Sequence, residues 1–277
     1  EHDITLAGEL SASAIDASSI QGDVSQSGSM VATGDIAVNA SGGSVVANVI
    51  VGQSVDIAAA NNLTITGDVT AATSALAGAG GDLTLTAGNG PLVVTGDLAG
   101  TTISLTSTAG EIDATSNMTA TTIGFDAGTD LTIAGDITSV DALTLNATDA
   151  LNYSGNATSQ GDVILTGQSI TMTGGSLNGA AVEATSSGAV ALTGDVNTPG
   201  DLKVTSTSGS VSLDVVTAID GNILVNAEHD ITLAGGDLTG GNVSLDAASV
   251  QLSGGSIRST VGNIAVLSDD LSVSGTV

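Results

Sequence analysis

Leu131-Thr-Ile-Ala-Gly-Asp-Ile137 contains the unit from which the chain is built. Apolar Leu131 and Ile133 alternate with small side chains, Gly135-Asp136 supplies a turn, and Ile137 resumes the apolar pattern. The same reading returns at Leu63-Thr-Ile-Thr-Gly-Asp-Val69, Leu92-Val-Val-Thr-Gly-Asp-Leu98, Val190-Ala-Leu-Thr-Gly-Asp-Val196 and Ile231-Thr-Leu-Ala-Gly-Gly-Asp-Leu238. A period of about twenty residues marks a stacked repeat. Continuous repetition makes one elongated body a better expectation for 277 residues than two compact domains.

Working outward, one series of strand starts falls at Ile4, Val24, Val45, Leu63, Leu92, Ile112, Leu131, Leu151, Ile170, Val190, Val211, Ile231, Val250 and Leu271. A second falls at Ile15, Ile36, Val55, Leu83, Ile103, Ile123, Leu143, Val163, Val182, Leu202, Ile223, Val243 and Ile264. In both, the residue two further on is usually apolar, as at Leu85, Leu105, Phe125 and Leu145, which is the signature of strands with one buried face. A third, shorter apolar position follows the turn at Leu10, Met30, Val51, Val69, Leu98, Met118, Ile137, Leu177, Val196, Leu238 and Ile257. Three inward stretches per coil predict an all-β parallel β-helix of about fourteen coils of about 20 residues, roughly 65 Å long at about 4.8 Å per coil. Up-and-down strands would need hairpin turns and lack such columnar identity.

Glycine stands four residues past the first-series start at Gly67, Gly96, Gly135, Gly155, Gly174, Gly194, Gly235 and Gly254, as well as at Gly8, Gly28 and Gly275. Glycine takes positive φ without steric cost, so this column is read as a structural turn. Val49, Ser116 and Val215 interrupt it and predict coils that turn differently. The period breaks between Leu63 and Leu83, where residues 71–80 are expected to form an outward loop rich in Ala and Gly.

The formal net charge is -27, with Lys203 and Arg258 the only strong cations. Nonspecific attraction to nucleic acid or to an anionic bilayer is therefore disfavoured, and neither nucleic-acid binding nor direct membrane insertion is expected. An acidic surface also limits lateral sticking of a β-rich body. Cysteine is absent, which excludes disulfides, thiolate metal sites and a cysteine nucleophile. The octapeptide Glu1-His-Asp-Ile-Thr-Leu-Ala-Gly8 recurs as Glu228-His-Asp-Ile-Thr-Leu-Ala-Gly235. This recurrence leads us to expect that residues 1–277 are a single continuous segment of a longer repetitive protein.

The columns carry little chemistry of their own. Glu9, Asp68, Asp97, Asp136 and Asp195 share one column, interrupted by Asn117, Asn156, Gly175 and Gly236, which dilutes like charges in a stack. The pairs Asp68/Asp97 and Asp269/Asp270 are the weak candidates for divalent cations such as calcium; no other cofactor is expected. Asn222, Asn242 and Asn263 occupy successive coils and predict an amide ladder in which each amide donates to the next coil. His2 and His229 read as turn residues and Phe125 with Tyr153 as a local core pair, so no catalytic constellation is assigned. Outward threonines such as Thr64/Thr66 and Thr171/Thr173 raise an ice-binding face; a lateral carbohydrate- or ice-binding module is the alternative, with a polysaccharide-active enzyme third.

Degenerate coils such as Asp130-Leu-Thr-Ile-Ala-Gly-Asp-Ile137 and Gly221-Asn-Ile-Leu-Val-Asn-Ala-Glu-His-Asp-Ile-Thr-Leu233 resemble those of large bacterial filamentous-haemagglutinin-type proteins, over essentially the whole chain. The resemblance implies a right-handed β-helix and a long extracellular or cell-surface fibre serving adhesion, aggregation or cell–cell contact. It implies a structural shaft, not an enzyme. Expected partners are copies associating end to end or laterally, covalent continuation of the same repeats, and a host or neighbouring cell surface.

Overall fold

The computed structural model describes residues 2–72 and 80–277. The chain is all-β, with its strands in parallel sheets wound as a β-solenoid of about 13 turns. It divides into two compact units, Glu1–Val140 and Asp141–Val277.

In the first unit, the first sheet runs from Ile4–Leu6 to Leu131–Ala134, the second from Ile15–Ser19 to Thr122–Ala127, and the third, of shorter strands, from Glu9–Ala12 to Ile137–Ser139. In the second unit the corresponding sheets run from Ala150–Ser154 to Asp270–Val273, from Leu143–Ala147 to Ile264–Leu267, and from Asn156–Ser159 to Ser256–Ser259. Equivalent apolar residues stack in register: Leu63 lies between Val45 and Leu92, and Leu85 between Ile57 and Leu105. Alternate residues of each interior strand are buried, so the core is a column of Val, Ile, Leu and Ala inside the coils. At about 1.5–3 kcal/mol for each fully buried large aliphatic side chain, this column supplies the main stabilisation.

Two of the three interruptions in the glycine column shorten the turn. Ile50 follows Val45 by five residues, whereas Val69 follows Leu63 by six, yet Ile50 and Val69 are register partners. Ile50 is therefore the inward residue of its coil, fully buried, and Val51, expected inward from sequence, is 36% exposed. Val211 and Val216 repeat the shorter spacing. Ser116 keeps the bend of its neighbours in the column.

The glycine column has two physical causes, not one. Gly155, Gly174, Gly235 and Gly254 do have positive φ, at 150°, 65°, 95° and 86°. Gly67, Gly96, Gly135 and Gly194 sit at the same bends without it. There the preceding coil stands in the way: a Cβ on Gly96 would lie 2.1 Å from the Gly67 carbonyl, and one on Gly135 2.1 Å from the Ser116 oxygen.

Of the expected loop at 71–80, residues 73–79 lie outside the described residues. Ala72 and Gly80 form an antiparallel bridge at its base.

Candidate functional site

The polar chemistry of the chain is concentrated at the corners, where one sheet hands over to the next. Asp or Asn stands just before many strands, and its side-chain oxygen accepts the backbone N–H of the equivalent residue one coil further on. Before the third sheet, Asp68 Oδ1 accepts from Asp97 N at 3.0 Å, Asp97 Oδ1 from Asn117 N at 2.9 Å, and Asn117 Oδ1 from Asp136 N at 3.1 Å. Before the first sheet, Asp3 Oδ1 accepts from Asp23 N at 3.0 Å and Asp23 Oδ1 from Ser44 N at 2.7 Å. Before the second sheet the column runs Asp201, Asn222, Asn242, Asn263, with acceptor distances of 2.7, 3.2 and 2.9 Å.

The amide ladder runs opposite to the sequence expectation. Asn242 Nδ2 donates to Asn222 Oδ1 at 2.7 Å and Asn222 Nδ2 to Asp201 Oδ1 at 3.2 Å, so these two amides donate to the coil before them. The oxygen faces forward because it is needed by the next backbone N–H, which leaves the NH2 group to point back.

A second set of side chains, at the strand ends, escaped the sequence reading. Ser206 Oγ donates to Gly188 O of the preceding coil at 2.5 Å and accepts from Gly209 N of its own turn at 3.0 Å. Ser107 does the same with Gly90 O and Gly110 N, and Ser259 with Gly241 O and Gly262 N. Thr198 donates to Ala180 O at 2.7 Å and accepts from Gly200 N at 3.1 Å. Ser107, Thr198 and Ser206 are buried. The available signal was the recurrent Ser-x-x-Gly at Ser19, Ser107, Ser206 and Ser259, in which a turn N–H falls within reach of the hydroxyl. Ser116 Oγ and Ser139 Oγ are buried with no hydrogen-bonding partner among the described residues.

Asp68 and Asp97 are thus tied to the backbone of the next coil. Asp269 lines a shallow depression with Glu228 and Asp246, and Asp270 opens the strand Asp270–Val273. Among the described residues no group of three or more His, Asp or Glu side chains is placed to hold a metal ion. His2 and His229 are exposed, and Phe125 and Tyr153 are each buried. Thr66 donates its hydroxyl to Ala47 O at 3.2 Å, and Thr64 is flanked in register by Val46 and Val93, which breaks the outward hydroxyl row.

One lateral feature of the second unit differs from this pattern. On the outward face of its second sheet a groove of about 410 Å³ surrounds Glu183 and Lys203. Lys203 Nζ donates to Glu183 Oε1 at 2.7 Å, with the two side chains 49% and 44% exposed. Ile164 and Leu224 flank the pair.

Comparison with protein-family models, with curated proteins and with solved structures finds no match.

Proposed function

We propose that the chain is a shaft segment of a large fibrous protein of the filamentous-haemagglutinin type, exposed on a bacterial cell surface and serving attachment, aggregation or cell–cell contact by extension rather than by catalysis. The observation that carries this reading is the repeated corner chemistry. Side chains at the corners of both units are committed to the neighbouring coil, hydroxyls to the coil behind and Asp or Asn oxygens to the coil ahead. Such bonds lie along the direction in which coils stack, where a pull on a fibre would load them. The strong negative charge suits an extracellular surface that must not cling to nucleic acid or anionic lipid. Partners of a shaft are continuation of the same repeats, further copies of itself, and the surface that the fibre meets.

The test is cryo-electron microscopy of the native cell surface with the chain labelled. Label along fibres whose density repeats at about 4.8 Å is expected. Label confined to compact particles, with none on fibres, would overturn the reading. Fibres ending in a distinct head would place recognition in that head and leave this chain as the spacer.

A further inference from the structure

The groove around Lys203 has an order of side chains that complements itself. Four register-matched outward residues on successive strands of the second sheet read Ile164, Glu183, Lys203, Leu224: apolar, negative, positive, apolar. Reversal of this row puts apolar opposite apolar and each charge opposite its counter-charge. The corner beside it reads Asp162, Ala181, Asp201, Asn222 at the register positions just before. Reversed, Asp162 meets Asn222 and Asp201 meets Ala181, so no carboxylate faces its own kind.

We infer that this face is an interface between two copies of the chain, packed second sheet to second sheet with their solenoid axes antiparallel, about a two-fold axis that runs along the strands and passes between Glu183 and Lys203. A two-fold contact is the same patch used twice, and residue order decides whether the patch fits itself. Parallel packing about an axis along this row would set Glu183 against Glu183 and Lys203 against Lys203. On a chain of charge -27, whose other strong cation is Arg258, such like-charge contacts have little to offset them. In the antiparallel arrangement the existing Lys203–Glu183 pair joins its symmetry mate in a square of alternating charges, closed at each end by Ile164 on Leu224. The patch is small, so the contact is weak and reversible. It strengthens from low to moderate salt, because screening relieves the repulsion between two strongly acidic bodies.

The inference rests on the shaft reading, since it names the face on which two shafts meet. Its test is separable, because pairing is measured on the purified full chain with no fibre present. The protein has no cysteine, so introduced thiols are unique. Facing sheets pack about 10 Å apart, beyond the reach of a disulfide, which makes a short bis-maleimide the probe. Ile164→Cys mixed with Leu224→Cys is expected to give a cross-linked dimer, while either variant alone gives little. Lys203→Glu introduced into both is expected to reduce the dimer at least tenfold, and the exchange Glu183→Lys with Lys203→Glu to restore it. Circular dichroism shows that each variant is folded. Strong cross-linking of Ile164→Cys alone would indicate parallel packing and overturn the inference, as would failure of the charge exchange to restore the dimer or absence of any dimer at moderate salt.

Discussion

The two ends of a strand solve one problem in different surroundings. Where a strand ends, the chain turns beneath the next coil, and a buried hydroxyl such as Ser206 or Thr198 both donates and accepts. Where a strand begins, the backbone lies near water, and Asp or Asn oxygens such as those of Asp68 and Asn222 only need to accept. A hydroxyl is small and offers both functions, which suits a closed corner. A carboxylate needs solvent, which suits an open one. The difference teaches that part of the acidic composition has a structural source: Asp3, Asp23, Asp68, Asp97 and Asp201 are backbone acceptors placed at corners that water reaches.

The comparison is broken most severely at the glycine beside the open corner. Gly96→Ala puts a methyl group 2.1 Å from the Gly67 carbonyl, and separation of the coils is expected to cost about 3 kcal/mol, read from the denaturant midpoint. Next comes the closed corner itself. Ser206→Ala removes from half-buried Gly209 N–H and Gly188 O the hydroxyl that joins them, for an expected loss of about 2 kcal/mol and faster hydrogen exchange at Gly209. At the open corner, Asp68→Ala frees Asp97 N–H to water and should lose at most about 1 kcal/mol, while Asp68→Asn keeps the acceptor and should lose still less. Equal losses for Ser206→Ala and Asp68→Ala would remove burial as the distinction. Smallest, and opposite in sign, is Ser139→Ala: its buried hydroxyl has no partner among the described residues, so removal should leave stability unchanged or raise it by up to about 1 kcal/mol.

The solenoid was legible because its core obeys a short-range rule. Leu63, Leu83, Leu92 and Ile103 each begin an apolar alternation, and a regular period stacks them without further information. Legibility failed where spacing slipped by a single residue. Val49-Ile50-Val51 is apolar throughout, so its pattern cannot choose the inward residue, and the choice of Ile50 follows from its register with Met30 and Val69. The corners were legible in part. The column Asn222, Asn242, Asn263 was visible because identical amides repeat, whereas the equivalent work of Asp68 and Asp97 looked like spacing of charge. The hydroxyls were hidden for a different reason. Serine is common throughout the chain, and only the turn geometry singles out Ser107 and Ser206 from their exposed counterparts. The groove at Lys203 was invisible in one dimension, since its four residues come from four strands about twenty positions apart.

The forward-facing oxygens also give the solenoid an assembly direction. A finished coil already holds out Asp68, Asp97 or Asn222 as a landing point for the amide that arrives one turn later. Incoming chain on the carboxyl-terminal side is therefore guided by side chains as well as by the open strand edge. Chain added on the amino-terminal side finds hydroxyls and amide N–H groups instead, waiting for the carbonyl and carboxylate oxygens it must bring with it. A polypeptide that emerges amino-terminus first lays each new coil on that row of waiting oxygens, so each coil sets the mould for its successor.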